Sequence, residues 1–249
     1  MVKILDTTFR DGGHQTNWSF EHKFVENYLK CCNSSGIDFL ELGYRNNIDK
    51  ENKGEFFNCS VELCQKFYQK KGNLSLGVMA DTSRLSLDDF TNSKKDYVDF
   101  IRLATHPDRI EQTLYYAEEL KLRGYEIFIQ LMEIPNLKPQ HYEIIQNWKS
   151  KNILKSLYIA DTYGTVQPQE IKIYFDKLRS IGYENISFHA HNNTNNALAN
   201  TVNAIREGAY AVDVSYNGLG GNLSMTDLFE HLNKNMDYYK TLSYSKNCL

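Results

Sequence analysis

Two histidines flank an alanine at His189-Ala190-His191, directly after the strand-like run Ile186-Ser187-Phe188. Side chains on a β-strand alternate between faces, so both imidazoles point one way and Ala190 the other. Paired imidazoles at a strand end suggest a metal site, although a hydrogen-bonded pair is the alternative. A second polar group lies near the N-terminus, where Arg10, Asp11 and His14 surround Gly12-Gly13. Glycine lets the backbone bend sharply there, and an ordinary aspartate-glycine turn with a surface arginine would read the same way. Asp11 with His189 and His191 would form a mixed oxygen and nitrogen site with positions left open. Such donors suit Mg²⁺, Mn²⁺, Co²⁺, Fe²⁺ or Zn²⁺ rather than the thiolates of a closed structural site.

These residues need a scaffold that brings both ends of the chain together. Strand-like runs fall at Lys3–Thr7, Ile37–Leu42, Leu74–Met79, Tyr97–Leu103, Glu126–Leu131, Leu154–Ala160, Asn185–Ala190 and Ala211–Ser215. Amphipathic helical stretches lie between them: Phe20–Ser34, Ser60–Lys71, Ile110–Leu122, Pro139–Lys149, Pro168–Arg179 and Asn195–Glu207, with a weaker one near Ser86–Asn92. Gly36, Gly72, Gly124, Gly182 and Gly208 follow helix candidates as C-terminal stops. Strand–helix alternation implies parallel strands, and eight in 249 residues fit one α/β domain, a (β/α)₈ TIM barrel spanning 1–249. An open doubly wound sheet would usually carry a glycine-rich phosphate turn after its first strand, whereas this chain has "RDGGH". In a barrel, strands one and seven are separated only by strand eight. Function belongs to the C-terminal strand ends, where the βα loops meet.

Composition narrows the function classes. A net charge of -3 favours neither nucleic acid nor an anionic membrane. No apolar run approaches the roughly 20 residues that cross a bilayer, and the N-terminus has no signal-peptide core. A cytoplasmic protein is the expectation. Five cysteines do not resemble a disulfide framework, and Cys59 and Cys64 have no second close pair to complete a structural zinc site.

The ordered set "LDTTFRDGGHQ", "DFLELGYR", "IRLATH", "ADTYG", "FHAHNN" and "GNLSMTDL" resembles the DRE-TIM metallolyases, the superfamily of HMG-CoA lyase. Within them the chain is most similar to the 4-hydroxy-2-oxovalerate aldolase branch and its short relatives that carry only the aldolase domain. The likeness runs from Ile4 to about Leu228. It implies a class II aldolase that forms a metal-held, pyruvate-type enolate and makes or cleaves a carbon–carbon bond with an aldehyde. Asp11, His189, His191 and Asn222 would hold the divalent ion, with manganese favoured; Arg10 would stabilise the enolate oxygen and His14 would be the base. Glu41, Arg45, Arg102 and Asp161, near strand ends two, four and six, are candidate substrate contacts. The usual Glu-Gln of the acyl-CoA-condensing branch is replaced here by Gly-His-Gln. A Claisen-type enzyme using an acyl-CoA and a non-catalytic barrel that binds metal or a partner are the alternatives. The extra helical domain that contacts a dehydrogenase in full-length aldolases is expected to be missing. Homo-oligomers are common among such barrels. Lys155 begins strand six rather than ending it, which disfavours a Schiff-base mechanism.

Overall fold

The apolar runs pair in chain order. In the computed structural model, which describes residues 2–46 and 52–232, eight parallel strands close into a barrel with β1 bonded to β8. They are β1 Lys3–Asp6, β2 Phe39–Tyr44, β3 Ser75–Asp81, β4 Phe100–Thr105, β5 Glu126–Leu131, β6 Leu154–Asp161, β7 Ile186–Ala190 and β8 Ala211–Val214. The principal helices are α1 His22–Ser35, α2 Val61–Tyr68, α3 Ser93–Asp96, α4 Ile110–Leu122, α5 Pro139–Asn147, α6 Ile171–Ser180, α7 Ala197–Arg206 and α8 Met225–His231. This is the expected (β/α)₈ barrel. No helix among the described residues is long and apolar enough to cross a membrane.

Two apolar layers hold it together. The outer layer lies between strands and helices; α1 contributes Phe24, Val25, Tyr28, Leu29, Cys31 and Cys32, a stripe at helical spacing. It ends at Gly36, whose left-handed backbone donates its N–H to the Cys32 carbonyl. The inner layer fills the lower barrel with Leu5, Phe39, Phe100, Phe128, Tyr158 and Ala211. The rings of Phe100 and Phe128 meet edge to face at 5.2 Å.

Two regions depart from the sequence reading. The third unit has no helix over Ser86–Asn92 but a single turn at Leu87–Asp89 followed by α3. Ser86 and Asn92 use their side chains to accept backbone N–H groups, each capping the start of the short element that follows it. In β2, Glu41 pairs with Gly77 but Tyr44 with Met79, so three steps on β2 match two on β3. That is a β-bulge, and it exchanges the faces of the residues beyond it. Cys31, Cys32, Cys59 and Cys64 are free and buried, while Cys248 and residues 47–51 of the loop after β2 lie outside the described residues.

Candidate metal centre

The first strand ends in a single helical turn, Thr8–Asp11, which buries Arg10 and Asp11. On the opposite side of β8, β7 delivers His189 into the barrel and His191 just beyond its end. One ligand atom each from Asp11, His189 and His191 lies within 4.8 Å of the others. The histidine rings stand edge to face at 4.9 Å. Burial pushes the pKa of both imidazoles down, furthest for His189, so both stay neutral and keep a lone pair for a ligand.

The late loop closes over Asp11. Gly220 has φ +78°, and a Cβ there would lie 2.6 Å from the Asp11 Cβ. Only glycine lets the chain approach so closely with that backbone. Just beyond it, Asn222 forms a bridge with His191. The Asn222 amide nitrogen donates to Asp11 Oδ2 at 3.1 Å, and its oxygen is buried without a partner among the described residues.

Beneath the three ligand residues runs a buried chain of alternating charge. Arg10 bonds Asp11 and, through Nε, Glu41 at 2.8 Å. Glu41 also accepts from Arg102 Nε at 2.7 Å, and Arg102 Nη1 donates to Asp213 at 2.6 Å. Asp213 Oδ2 in turn lies 2.8 Å from His189 Nδ1. A carboxylate there fixes the proton on Nδ1 and turns the Nε2 lone pair toward Asp11, the arrangement that orients metal-bound histidines. His189 Nε2 lies 3.5 Å from Asp11 Oδ2 and makes no hydrogen bond among the described residues. An orphaned, buried imidazole nitrogen beside a carboxylate and a second imidazole fits a divalent cation, with Asp11, His189 and His191 as ligands. The unpartnered Asn222 oxygen is a further donor at the same corner.

His14 stands at the mouth, its ring 4.7 Å from that of Trp18. Trp18 is itself tied down, its indole N–H donating to the Arg10 carbonyl at 2.9 Å. Partial burial lowers the His14 pKa, with Arg10, His191 and Lys53 adding to the effect and Asp11 opposing it. The imidazole is therefore in its basic form at neutral pH.

The structure thus gathers Arg10, Asp11, His189, His191, Asn222, Glu41 and Arg102 into one network with His14 at its edge. Arg45 lies apart from it, and Asp161 makes no hydrogen bond to it among the described residues although its carboxylate acts electrostatically on His191. Arg45 faces away from the interior, bonding the Cys59 carbonyl at 3.0 Å and Cys64 Sγ at 3.1 Å, with Asp96 at 3.3 Å. Asp161 ends β6, but its carboxylate accepts the N–H groups of Thr165 and Val166 in its own loop. Lys155 pairs with Glu126 at 2.7 Å at the other rim. Asp213 was missed although Glu41 and Arg102, equally inside their strands, were singled out. The available signal was one acid within the apolar run "AVDV", where burial demands a cation or donor.

A family model described as HMGL-like matches residues 109–245, more than half of the chain. An oxaloacetate decarboxylase from Mycobacterium tuberculosis is 26% identical over 220 residues, which cover 87% of this chain and 65% of that protein. A 4-hydroxy-2-oxovalerate aldolase from Carboxydothermus hydrogenoformans is 25% identical over 225 residues, covering 88% and 66%. The chain therefore spans just under two thirds of the length of these two relatives. Among solved structures, the N-terminal domain of a provisionally assigned aldolase from Bacteroides vulgatus matches with a TM-score of 0.87 and 27% identity, over 97% of this chain and 84% of that one. The chain belongs to the HMGL-like family, and with it to the DRE-TIM metallolyases.

Proposed function

We propose that this protein is a divalent-metal-dependent carbon–carbon lyase that generates the enolate of a pyruvate-type 2-oxo acid, with manganese as the resident ion. One observation carries the reading: the orphaned His189 Nε2 converges with Asp11 and His191 beside Arg10, whose Nη2 is also buried without a partner. A bound ion would supply Lewis acidity to the carbonyl oxygen of the substrate. Arg10, permanently charged and held by Asp11 and Glu41, offers Nη2 to the oxygen on which negative charge grows. Its two carboxylate partners fix the guanidinium plane, so little reorganisation is needed as that charge develops. His14, neutral at working pH, takes the proton from the 4-hydroxyl in the cleavage direction and returns it in synthesis.

Two reactions meet at this enolate. Retro-aldol cleavage of a 4-hydroxy-2-oxo acid releases an aldehyde and leaves the enolate of pyruvate, and loss of CO₂ from oxaloacetate leaves the same species. The aldolase reading is favoured by His14, since decarboxylation has no hydroxyl proton to remove. The decarboxylase reading is favoured by the Mycobacterium tuberculosis relative. Proton NMR of pyruvate in D₂O, with Mg²⁺ or Co²⁺ and only trace Mn²⁺, tests the shared step. Loss of the methyl signal that requires both protein and metal is the expected result. No exchange with any of these metals would overturn the proposal and bring forward the acyl-CoA and non-catalytic alternatives. Product analysis with 4-hydroxy-2-oxovalerate and with oxaloacetate then separates the two lyases.

A further inference from the structure

The β-bulge in β2 reaches beyond the fold. Phe39 and Glu41 face the barrel interior, the first in the inner apolar layer and the second against Arg102. Strict alternation from those two would continue inward through Gly43 and Arg45. The extra residue breaks that count. Gly43 sits in the bulge, where a Cβ would lie 2.0 Å from the Phe56 carbonyl oxygen. Arg45 is turned outward onto Cys59, Cys64 and Asp96, with Phe90 under its guanidinium at 5.5 Å. Tyr44 takes the inward place at the barrel mouth.

There its ring lies 6.1 Å from Trp18 and 6.4 Å from Phe57. The strongest charged neighbour of the phenol is the Arg10 guanidinium, from which the phenol oxygen accepts a hydrogen bond while its own proton stays free to donate, with Asp11 and Glu41 also in range. Burial pushes the phenol pKa up to about 12, so the hydroxyl keeps its proton. Arg10 Nη2 nearby has no partner among the described residues. Two proton donors therefore meet at one spot, and an oxygen carrying negative charge is the ligand that satisfies both. Packing alone would be served by phenylalanine, and a bulge that re-aims one side chain is a recurrent device beside active sites.

We infer that Tyr44 is a catalytic residue, its hydroxyl donating a hydrogen bond to the substrate oxygen held against Arg10 Nη2. The inference rests on the enolate reading above and adds to it a second donor that the sequence did not single out. Oxalate, a planar dianion shaped like the enolate of pyruvate, is a probe that needs no turnover.

The test compares wild type and Tyr44→Phe by calorimetric titration of oxalate in Mg²⁺ and by pyruvate methyl exchange, with thermal unfolding of the metal-free proteins as the fold control. Removing one hydrogen bond to a charged oxygen is expected to weaken oxalate about tenfold or more and to slow exchange by a similar factor, at an unchanged unfolding midpoint. Wild-type affinity and exchange in Tyr44→Phe would overturn the role of the tyrosine while leaving the enolate reading standing. A wild type that binds oxalate without exchanging pyruvate would defeat the enolate reading, and the tyrosine contact would still be judged on affinity. A wild type that does neither defeats both.

Discussion

The inside of this barrel is two different materials. Its lower half is a plug of aromatic and aliphatic side chains, Leu5, Phe39, Phe100, Phe128 and Tyr158, all buried and in mutual contact. Its upper half carries a buried ionic chain: Glu41, Arg102 and Asp213, each two residues further along its strand than Phe39, Phe100 and Ala211, joined by Arg10 and Asp11 from the helical turn after β1. The lower half gains stability from apolar burial and ring packing. The upper half removes charges from water, which costs stability unless every charge is matched. Its charges alternate in sign, and among the described residues the network atoms left without a hydrogen-bond partner are Asp213 Oδ1, within the chain of charges, and His189 Nε2, Arg10 Nη2 and the Asn222 oxygen, whose side chains all meet Asp11. The difference teaches where chemistry is located: not wherever charge is buried, but where a matched network stops short of satisfying itself.

The largest effect is expected from the mouth of the upper half. His14→Ala should lower cleavage of a 4-hydroxy-2-oxo acid by about 10²–10⁴-fold while leaving metal affinity unchanged, because its ring is no ligand. Steady-state kinetics beside a metal titration checks this, and unaltered cleavage would remove His14 from the mechanism. The same histidine sets a pH limb. Its basic form is the active one and partial burial lowers its pKa below 6.5, so activity should fall as pH drops through a value under 6.5.

In the lower half the expected loss is of stability alone. Phe128 is fully buried and lies 5.4, 5.2 and 5.9 Å from the rings of Phe39, Phe100 and Tyr158. Phe128→Ala should cost about 3–5 kcal/mol in denaturant unfolding. The folded variant should bind metal as wild type does. Weakened metal affinity would show that the two halves are not separable.

Just outside the barrel wall lies an instructive third case. Asp6 is buried, and its hydrogen-bond partners among the described residues are neutral: it accepts from the Tyr28 hydroxyl at 2.7 Å, the Thr8 N–H at 2.9 Å and the Thr8 hydroxyl at 3.1 Å. Burial raises its pKa from 3.8 to about 6, with Asp213 adding to the rise and the Tyr28 and Thr8 hydrogen bonds opposing it. The folded chain then holds the proton more tightly than the unfolded chain. The stabilisation is complete below about pH 4 and is lost as pH rises through 6, some 3 kcal/mol in all. Asp6→Asn should lack this slope, so wild type should lose stability relative to the variant between pH 4 and 7. Parallel slopes would show that Asp6 is not proton-linked to folding.

Much of the architecture was legible from residues alone. β5 begins and ends where the sequence placed it, at Glu126 and Leu131, because a parallel strand covered on both faces reads as an unbroken apolar run. α4 likewise matches at Ile110 and Leu122. The third unit was less legible, since serine and asparagine caps decided it rather than apolar spacing. For the site, looking at strand ends led to Arg10, Asp11, His189 and His191, which the fold brings together. It passed over Asp213, although Glu41 and Arg102 are also inside their strands, because no polar motif flanks Asp213 in its apolar run. Nor could it choose between Tyr44 and Arg45, because face alternation counts residues and a bulge adds one without an unambiguous mark in the sequence.

The central claim is that the leftover corner holds a divalent ion. Calorimetric titration of Mn²⁺ into metal-free wild type, Asp213→Asn and Asp11→Asn tests it most directly, with thermal unfolding to confirm that each variant is folded. The account expects one ion per chain in wild type, affinity weakened about 10–100-fold when Asp213 no longer fixes the His189 proton, and loss of the site in Asp11→Asn. Equal occupancy and affinity in all three folded proteins would contradict it.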